Sequence, residues 1–263
     1  MFRSLFLLPL IAAAPVQTAP PVPARIFIAS DSTAQDYKPN RYPQSGWGTM
    51  LRCAVDGGVT VENRAIGGRS TRSFVAEGRL DGIARDIRAG DTLLIQFGHN
   101  DASADKPERF TSIPDYEINL RRMIDVARKA GAQPVILTPV TRRSFDGMRV
   151  EPSFPTYAEA ARAVAEQTRT PLIELGTLSG KLVERAGPDA SKRYFLHYTA
   201  ADKTPGFPDG VSDDTHFSEM GARAVADIVA DRLRALRLPV SKHIASRRPA
   251  LTRTTPLGGP SCG

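Results

Sequence analysis

Short apolar segments rich in β-branched residues alternate along the chain with segments of helical periodicity. Five of the apolar segments have the length of buried strands, and they are Arg25–Ala29, Val59–Asn63, Thr92–Phe97, Pro134–Thr138 and Leu172–Glu174. Apolar residues recur every three or four positions, as in helices, over Gly48–Val55, Leu80–Ala89, Tyr116–Ala130, Tyr157–Gln167 and Ser218–Leu236. This alternation predicts a single α/β domain in which helices cover both faces of a central parallel sheet.

The two ends of the chain differ in composition from this predicted domain. Residues 1–24 have a positive start, a short apolar stretch and a run rich in proline. The pattern is typical of a secretory signal peptide and leader, with a buried N-terminal helix as the alternative. Residues 241–263 lack apolar periodicity, and we expect a disordered basic tail with His243 solvated. The domain is therefore assigned to residues 25–240, and the protein is expected to be secreted or periplasmic.

The net charge of +7 invites a hypothesis of nucleic-acid binding. However, residues 237–263 hold five basic residues and no acid, and Arg3 adds another in the predicted signal peptide. The body between them is close to neutral, so it lacks the basic surface that follows a phosphate backbone. We expect no nucleic-acid partner and no stable insertion into a membrane, whereas the oligomeric state stays open.

The chain contains two cysteines, Cys53 and Cys262. An exported protein could join them in a disulfide, but Cys262 lies in the predicted tail, so the sequence leaves the pairing open. The sequence has no CxxC pair and no HExxH or similar spacing of metal ligands. We therefore expect no structural metal.

Polar residues follow three of the predicted strands where each strand ends. Ser30-Asp31-Ser32-Thr33 follows the first strand, a loop with Gly67-Gly68 follows the second, and Gly98-His99-Asn100-Asp101 follows the third. A fourth polar segment, Gly210–His216, leads into the last predicted helix. Because ligands of parallel α/β sheets bind beyond the carboxyl ends of the strands, the four segments are predicted to converge on one rim.

Ser32 is the candidate nucleophile among these residues. A hydroxyl is a weak nucleophile at neutral pH, so it needs a base, and the base needs an acid that orients it. Asp213 and His216 are three positions apart, which lets the carboxylate reach Nδ1 of the imidazole while Nε2 faces outward. Each segment alone also has a simpler interpretation, as a helix cap or a turn. Their joint occurrence in this order favours catalysis.

In this order the segments resemble the conserved blocks of the SGNH or GDSL hydrolases, and within them the rhamnogalacturonan acetylesterase group. The similarity runs from about residue 25 to residue 236 and is carried by DSTAQDY, GWGTML, NRAIGGRSTRSFVAEGR, FGHND and DGVSDDTHFSEMGA. It implies a three-layer α/β/α, flavodoxin-like fold. One departure is Ser30, where the superfamily usually has glycine, although the reactive positions are intact.

The resemblance also implies roles for individual residues. Ser32 is similar to the family nucleophile, His216 to the general base and Asp213 to its orienting partner. The backbone N–H groups of Ser32 and Gly68 and the side-chain amide of Asn100 would form the oxyanion hole, where one donor is worth roughly 2.7–4 kcal/mol. The chain has no Gly-x-Ser-x-Gly sequence, so the α/β-hydrolase form of the triad is disfavoured.

Several other residues have two interpretations each. For His99 we favour a structural hydrogen bond over a catalytic role. For Trp47 we favour a place in the core over stacking on a substrate. His197 could line a sugar site or pack in the core. Arg69 and Arg72 could meet an acidic sugar or be solvated.

The expected function is that of a serine esterase that needs no cofactor and removes acetyl groups from a plant cell-wall polysaccharide. Rhamnogalacturonan is the favoured substrate. A first alternative is a lipid esterase or thioesterase of the same superfamily, which would need an apolar trough, whereas these loops are polar. A second is a carbohydrate-binding protein with an inactive site, but all the reactive residue types are present.

Overall fold

The computed structural model describes residues 24–249 and residue 262. The predicted signal peptide and leader therefore lie outside the described residues, apart from Ala24. No helix in the described part of the chain is long and apolar enough to cross a membrane.

A five-stranded parallel sheet forms the centre of the domain, in the order β2-β1-β3-β4-β7. Its strands in chain order are β1 (Ala24–Ala29), β2 (Val59–Asn63), β3 (Thr92–Gln96), β4 (Gln133–Leu137) and β7 (Leu172–Ile173). Each predicted strand is confirmed, with its ends shifted by no more than one residue. Two antiparallel hairpins lie outside this sheet, and they are β5 (Phe145–Asp146) with β6 (Arg149–Val150), and β8 (Phe195–Thr199) with β9 (Gly210–Phe217).

Helices fill the connections between the strands. They are α1 (Trp47–Leu51), α2 (Thr71–Ala76), α3 (Arg79–Asp86), α4 (Ile113–Lys129), α5 (Pro155–Gln167), α6 (Leu175–Ala190) and α7 (Glu219–Ala235). The prediction of one helix over Gly48–Val55 holds for its first half, since a 3-10 helix, Arg52–Ala54, follows α1. The sequence pattern missed α2 and α6. Glycine at positions 176, 180 and 187 and Pro188 weaken the helical signal of α6.

The alternating side chains of β1 separate two hydrophobic layers. Ile26 and Ile28 face a cluster that includes residues of α1, α6 and α7. Phe27 and Ala29 face a second cluster, which includes residues of α2, α3, α4 and α5. Because successive residues of a strand point to opposite faces, this arrangement is a three-layer α/β/α sandwich. The predicted fold class is confirmed.

The predicted disordered tail is wrong for its first nine residues, 241–249. A 3-10 helix, Pro239–His243, follows α7, and the buried Ile244 forms a β-bridge with Val55. His243 is not free in solvent, because its Nδ1 lies 3.0 Å from Oδ1 of Asp56. These contacts join residues far apart in the chain, so local composition did not reveal them.

The two cysteines form a disulfide, which answers the question that the sequence left open. Cys53 lies next to α1, and Cys262 lies 209 positions further along the chain. Their Cα atoms are 5.0 Å apart, within the usual range for a disulfide. The bond fixes residue 262 against the domain.

Candidate active site

The carboxyl end of β1 presents Ser32 on a tight turn. Asp31, which is buried, accepts hydrogen bonds at Oδ1 from the backbone N–H of Thr33, at 2.9 Å, and from its hydroxyl, at 2.7 Å. The Asp31 side chain thus closes the turn from below, as aspartate does in many turns. Ser32, between these two residues, keeps its side chain on the outer side and lines an open pocket of about 530 Å³.

Tyr37 holds the same turn from the side. Its hydroxyl donates a 2.8 Å hydrogen bond to the backbone carbonyl of Ser32. Burial, reinforced by the negative charge of Asp31, raises the pKa of Tyr37 above its usual range, so the phenol stays protonated as a donor. Sequence reasoning missed this residue, although it closes the segment DSTAQDY.

Strand β9 brings Asp213 and His216 to the nucleophile turn. Nε2 of His216 lies 3.0 Å from Oγ of Ser32, and Nδ1 of the same ring lies 2.7 Å from Oδ2 of Asp213. In the tautomer that this contact selects, Nδ1–H donates to the carboxylate and Nε2 accepts from the serine hydroxyl. The segment was predicted to be a loop, whereas the structure makes it a strand paired with β8.

Asp213 is ionised over the range in which enzymes work. Burial alone would raise its pKa, but the hydrogen bonds from the imidazole and backbone N–H of His216 and from the N–H of Thr215 outweigh that effect and lower the pKa to about 2. The two backbone donors bind Oδ1, at 3.0 and 2.7 Å, and leave Oδ2 to the imidazole. Both oxygens of the carboxylate are therefore used.

The Gly67-Gly68 loop lies beside Ser32. The backbone N–H of Ile66 donates to the carbonyl of Ser30 at 3.1 Å, and the N–H of Gly67 donates to the side chain of Gln35. Gly68 has a φ of +78°, which a residue with a side chain rarely adopts. The loop is thus held against the nucleophile turn, and Gly68 lines the same pocket as Ser32 and His216.

Asn100 lies next to this loop, in the segment that follows β3. Its Nδ2 donates one hydrogen to the carbonyl of Arg69 at 3.0 Å, which fixes the amide plane. An amide NH₂ has two hydrogens, so the second is available to a bound ligand. The structure thus brings every predicted site residue, Ser32, Gly68, Asn100, Asp213 and His216, to one pocket.

Asp101 fixes the segment that carries Asn100. Its buried carboxylate accepts hydrogen bonds from the N–H of Thr71, at 2.9 Å, and from the hydroxyl of that residue, at 2.6 Å. Tyr157 donates to the carbonyl of Asp101 at 2.9 Å. Burial raises the pKa of Asp101 to about 6, against the effect of the Thr71 hydrogen bonds.

Cationic side chains form much of the pocket wall. Arg41, Lys106, Arg109 and Arg142 line it, and the acid among the lining residues is Asp213, which is paired with His216. The guanidinium carbon of Arg109 lies 3.5 Å from the position that a Cβ would take on Gly68. Nε of Arg142 is buried and has no hydrogen-bond partner among the described residues. The pocket therefore offers positive charge next to the nucleophile.

The arginines that the sequence singled out have other partners. Arg69 forms an ion pair with Glu77 at 3.1 Å, and Arg72 donates to the carbonyls of Pro107 and Phe110, each at 3.2 Å. Neither lines the pocket. Arg142 follows the end of β4, so the rule that ligands bind beyond strand ends could have found it.

The remaining candidates have structural partners. Nε2–H of His99 donates to the carbonyl of Val140 at 2.8 Å, as predicted, and burial lowers the pKa of this imidazole and keeps it neutral. Trp47 is fully buried, and its indole N–H donates to Gln96 at 3.0 Å, which confirms the core interpretation. His197 pairs with Asp214 at 2.7 Å on the outer side of the hairpin.

Among residues 24–249 and 262, no group of three or more His, Cys, Asp or Glu side chains is arranged to hold a metal ion. The imidazole of His216 uses its two nitrogens on Asp213 and on the serine hydroxyl. The hydroxyl, imidazole and carboxylate thus stand in the order of the nucleophile, base and orienting acid of a serine hydrolase.

A parallel α/β/α sheet with a serine–histidine–aspartate chain at its carboxyl edge is an architecture of carboxylic ester hydrolases. The chain belongs to the GDSL-like lipase/acylhydrolase family, whose sequence profile matches residues 31–224. This result confirms the predicted family and enzyme class.

Two curated relatives match nearly the whole domain. The chain is 43% identical over 226 residues to the rhamnogalacturonan acetylesterase RhgT of Bacillus subtilis (strain 168), which covers 86% of this chain and 96% of RhgT. It is 37% identical over 224 residues to the probable rhamnogalacturonan acetylesterase YesY of the same organism, covering 85% of this chain and 98% of YesY.

Solved structures have the same fold. The crystal structure of protein YxiM from Bacillus subtilis matches with a TM-score of 0.72 at 28% identity, covering 83% of this chain and 58% of that chain. The acetylxylan esterase Axe2 from Geobacillus stearothermophilus matches with a TM-score of 0.54 at 18% identity, covering 85% of this chain and 97% of that chain. At that identity the second match shows the fold alone.

Proposed function

We propose that the protein is a serine acetylesterase that removes acetyl groups from an acidic plant cell-wall polysaccharide of the rhamnogalacturonan type. The observation that carries the proposal is the unbroken hydrogen-bond chain from Ser32 through His216 to Asp213, at 3.0 and 2.7 Å. The printed names of the relatives RhgT and YesY support this substrate.

In the proposed reaction, Oγ of Ser32 attacks the acetyl carbonyl while Nε2 of His216 accepts the serine proton. The carbonyl oxygen becomes an oxyanion, and the N–H groups of Ser32 and Gly68 and the free amide hydrogen of Asn100 stabilise it. The intermediate collapses, and the sugar oxygen leaves with the proton from His216. Asp213 stabilises the imidazolium formed between these two proton transfers.

Water then completes the cycle. His216 accepts a proton from a water molecule, and the resulting hydroxide attacks the acetyl-serine ester through a second tetrahedral intermediate. Acetate leaves, and the proton returns to Oγ of Ser32. All bonds and protons balance within this set of side chains, so the proposed mechanism uses no cofactor.

The character of the pocket favours a sugar over a lipid. A long acyl chain needs an apolar trough, whereas the residues that line this pocket include Gln35, Gln44, Asn100 and four cations. Arg109 and Arg142 would meet the carboxylates of acidic sugars, because a guanidinium binds a carboxylate through charge-assisted hydrogen bonds. The same charges would not favour an apolar ester.

Secretion is part of the proposal. The predicted signal peptide lies outside the described residues, but the Cys53–Cys262 disulfide supports an oxidising compartment, such as the periplasm or the extracellular space. A polymeric cell-wall substrate would be met there.

The test is acetate release from a panel of acetylated pectins and acetylated xylans, measured with the wild-type chain and with Ser32→Ala. We expect release from rhamnogalacturonan-rich pectin to exceed release from xylan and to vanish in the variant. A series of nitrophenyl esters with acyl chains of increasing length distinguishes the acetylesterase from the lipid-esterase alternative, because a lipid esterase should prefer long acyl groups. Absence of acetate release from every glycan would leave the inactive binding protein as the better hypothesis.

A further inference from the structure

Two aspartate–histidine pairs begin at adjacent residues of β9, Asp213 and Asp214. Asp213 pairs with His216 at 2.7 Å, and Asp214 pairs with His197 of β8, also at 2.7 Å. The proposed mechanism uses the first pair and gives no role to the second.

Strand β9 is irregular between Asp213 and Phe217, the stretch that contains His216. Leu196 of β8 is paired with Asp213 of β9, but the preceding residue of β8, Phe195, is paired with Phe217. Residues 214–216 therefore stand out of the ladder as a bulge. Bulges are common near active sites, where they redirect a side chain. Here the bulge aims His216 at Ser32, and the ladder itself does not hold it.

Arg143 holds the bulge at two points. Its backbone N–H donates to the carbonyl of Asp214 at 2.8 Å, and its Nη1 donates to Oδ1 of the same residue, also at 2.8 Å. The guanidinium is itself fixed, since Nη2 donates to the carbonyl of Pro188 at 2.5 Å and Nε donates to Oγ of Ser191 at 3.2 Å. Arg143, in the segment that follows β4, thus ties the bulge to the C-terminal end of α6 and to Ser191, which follows that helix.

His197 holds the bulge from the other strand. Its Nε2 shares Oδ1 of Asp214 with Arg143, and its Nδ1 lies 3.4 Å from Oγ of Ser212, the residue opposite it in the ladder. The side chains of Arg143 and His197 are each 14% exposed, whereas that of Asp214 is 47% exposed. The Asp214 carboxylate therefore contacts Arg143 and His197 through Oδ1, while about half of the side chain is exposed to solvent.

We infer that Asp214 is a positioning residue, which fixes the bulge through Arg143 and His197 so that His216 stays in line with Ser32. Asp214 touches none of the reacting atoms, and it acts through the backbone of residues 214–216. This inference rests on the proposed roles of Ser32 and His216. It adds that the carboxylate of Asp214 maintains the geometry of the neighbouring Asp213–His216 pair.

The test compares Asp214→Ala with Asp214→Asn. Asparagine keeps an oxygen at the Oδ1 position, which can still accept hydrogen bonds from Arg143 and His197, whereas alanine removes it. We expect kcat on nitrophenyl acetate to fall about tenfold or more in Asp214→Ala with KM changed less than about twofold, because small misplacement of a catalytic group is costly. Asp214→Asn should restore most of the rate.

Arg143→Ala and the double variant Arg143→Ala/Asp214→Ala test the contact itself. If the two residues act together, the double variant is no slower than the slower single variant. Glu174→Ala is the matched control, because Glu174 forms a similar surface ion pair, with Arg162 at 2.7 Å, away from the pocket. Thermal unfolding of each variant shows that the domain is intact.

Three results would overturn the inference: a wild-type kcat in Asp214→Ala, a loss confined to KM, or an equal loss in Glu174→Ala. Failure of the proposed function is seen separately, as absence of acetate release by the wild-type chain or as full activity of Ser32→Ala. A fluorophosphonate that labels Ser32 at the wild-type rate in Asp214→Ala would also count against positioning, since that reaction depends on the same alignment with His216.

Discussion

Nε2 of His216 lies 3.0 Å from Oγ of Ser32, although the two residues are 184 positions apart in the chain. The contact joins the end of the first strand of the main sheet to the last strand of a separate hairpin. Chemistry at this site therefore depends on how the β8–β9 hairpin docks on the sheet. One hydrogen bond that holds the hairpin in place runs from the N–H of Ser45, just before α1, to the carbonyl of Phe217 at the end of β9, at 3.0 Å.

Replacement of the nucleophile is the first prediction. Ser32→Ala should lower kcat by about 10⁴-fold or more, because the members of a triad act as a unit. Initial rates on nitrophenyl acetate measure the effect, and thermal unfolding checks the fold. In the wild type, mass spectrometry after fluorophosphonate treatment should find the adduct on Ser32. An adduct on Ser70, which caps α2, would refute the assignment.

The oxyanion hole should be separable from the triad. Asn100→Ala removes one donor, and we expect kcat to fall by roughly 10²–10³-fold with little change in KM. Steady-state kinetics measure both constants. A change confined to KM would instead make Asn100 a residue that binds substrate. Because Nδ2 also donates to Arg69, circular dichroism and unfolding of the variant should accompany the kinetics.

Replacement of the two adjacent acids, Asp213 and Asp214, should lower kcat/KM to different extents. His216 accepts the serine proton only as the neutral imidazole, so enzyme in which this ring is protonated should be inactive. The pKa of Asp213 is about 2, so its carboxylate should add no second acidic limb above pH 4. Asp213→Asn should lower kcat/KM severely at every pH, whereas Asp214→Asn should lower it much less. The opposite order would show that the acid of the triad is misassigned.

Much of this site follows from the sequence, because buried parallel strands leave a clear signal. The five strands of the sheet are short, apolar and β-branched, and the polar residues at their carboxyl ends mark Ser32 and Asn100. Asp213 and His216 were found by their spacing, although their strand was missed. Asp213 and Asp214 lower the β propensity of that strand, because aspartate is depleted in strands, and its partner β8 holds it through tertiary pairing.

Features that depend on contacts between distant segments were not predictable in this way. The sequence does not show that Arg248 binds Asp231, which helps to fix residues after 240 on α7. It does not show that Arg143 reaches Asp214, 71 positions away. Arginine has no local periodicity that distinguishes a pocket from the surface, so the pocket cations were missed while Arg69 and Arg72 attracted attention.

Arg109 should determine preference between acidic and neutral glycans. Arg109→Ala removes a cation next to Gly68, and we expect kcat/KM on an acetylated acidic pectin to fall about tenfold more than on acetylated xylan. Acetate release on the two polymers gives the ratio. Arg121→Ala on α4, whose guanidinium lies near Glu117, is the matched surface control and should leave the ratio unchanged. Equal losses on both polymers would mean that Arg109 does not recognise a carboxylate.

Asp101 couples the site to folding stability. The ordinary pKa of this side chain is 3.8, and burial raises it to about 6 in the folded protein. Between these two values the folded state therefore binds more protons than the unfolded state. Stability contributed by this group is highest below pH 3.8 and is lost as the pH rises through about 6.

Asp101→Asn should remove this pH dependence. Asparagine is neutral at every pH and keeps an oxygen that can accept the hydrogen bonds from Thr71, at 2.9 and 2.6 Å in the wild type. Relative to the wild type, the free energy of unfolding of the variant should therefore rise by about 3 kcal/mol between pH 3 and pH 8. Urea unfolding of both proteins across this range gives the difference directly and cancels the contribution of other carboxylates. A difference that stays constant with pH, or that falls as the pH rises, would show that Asp101 is ionised in the folded protein well below pH 6.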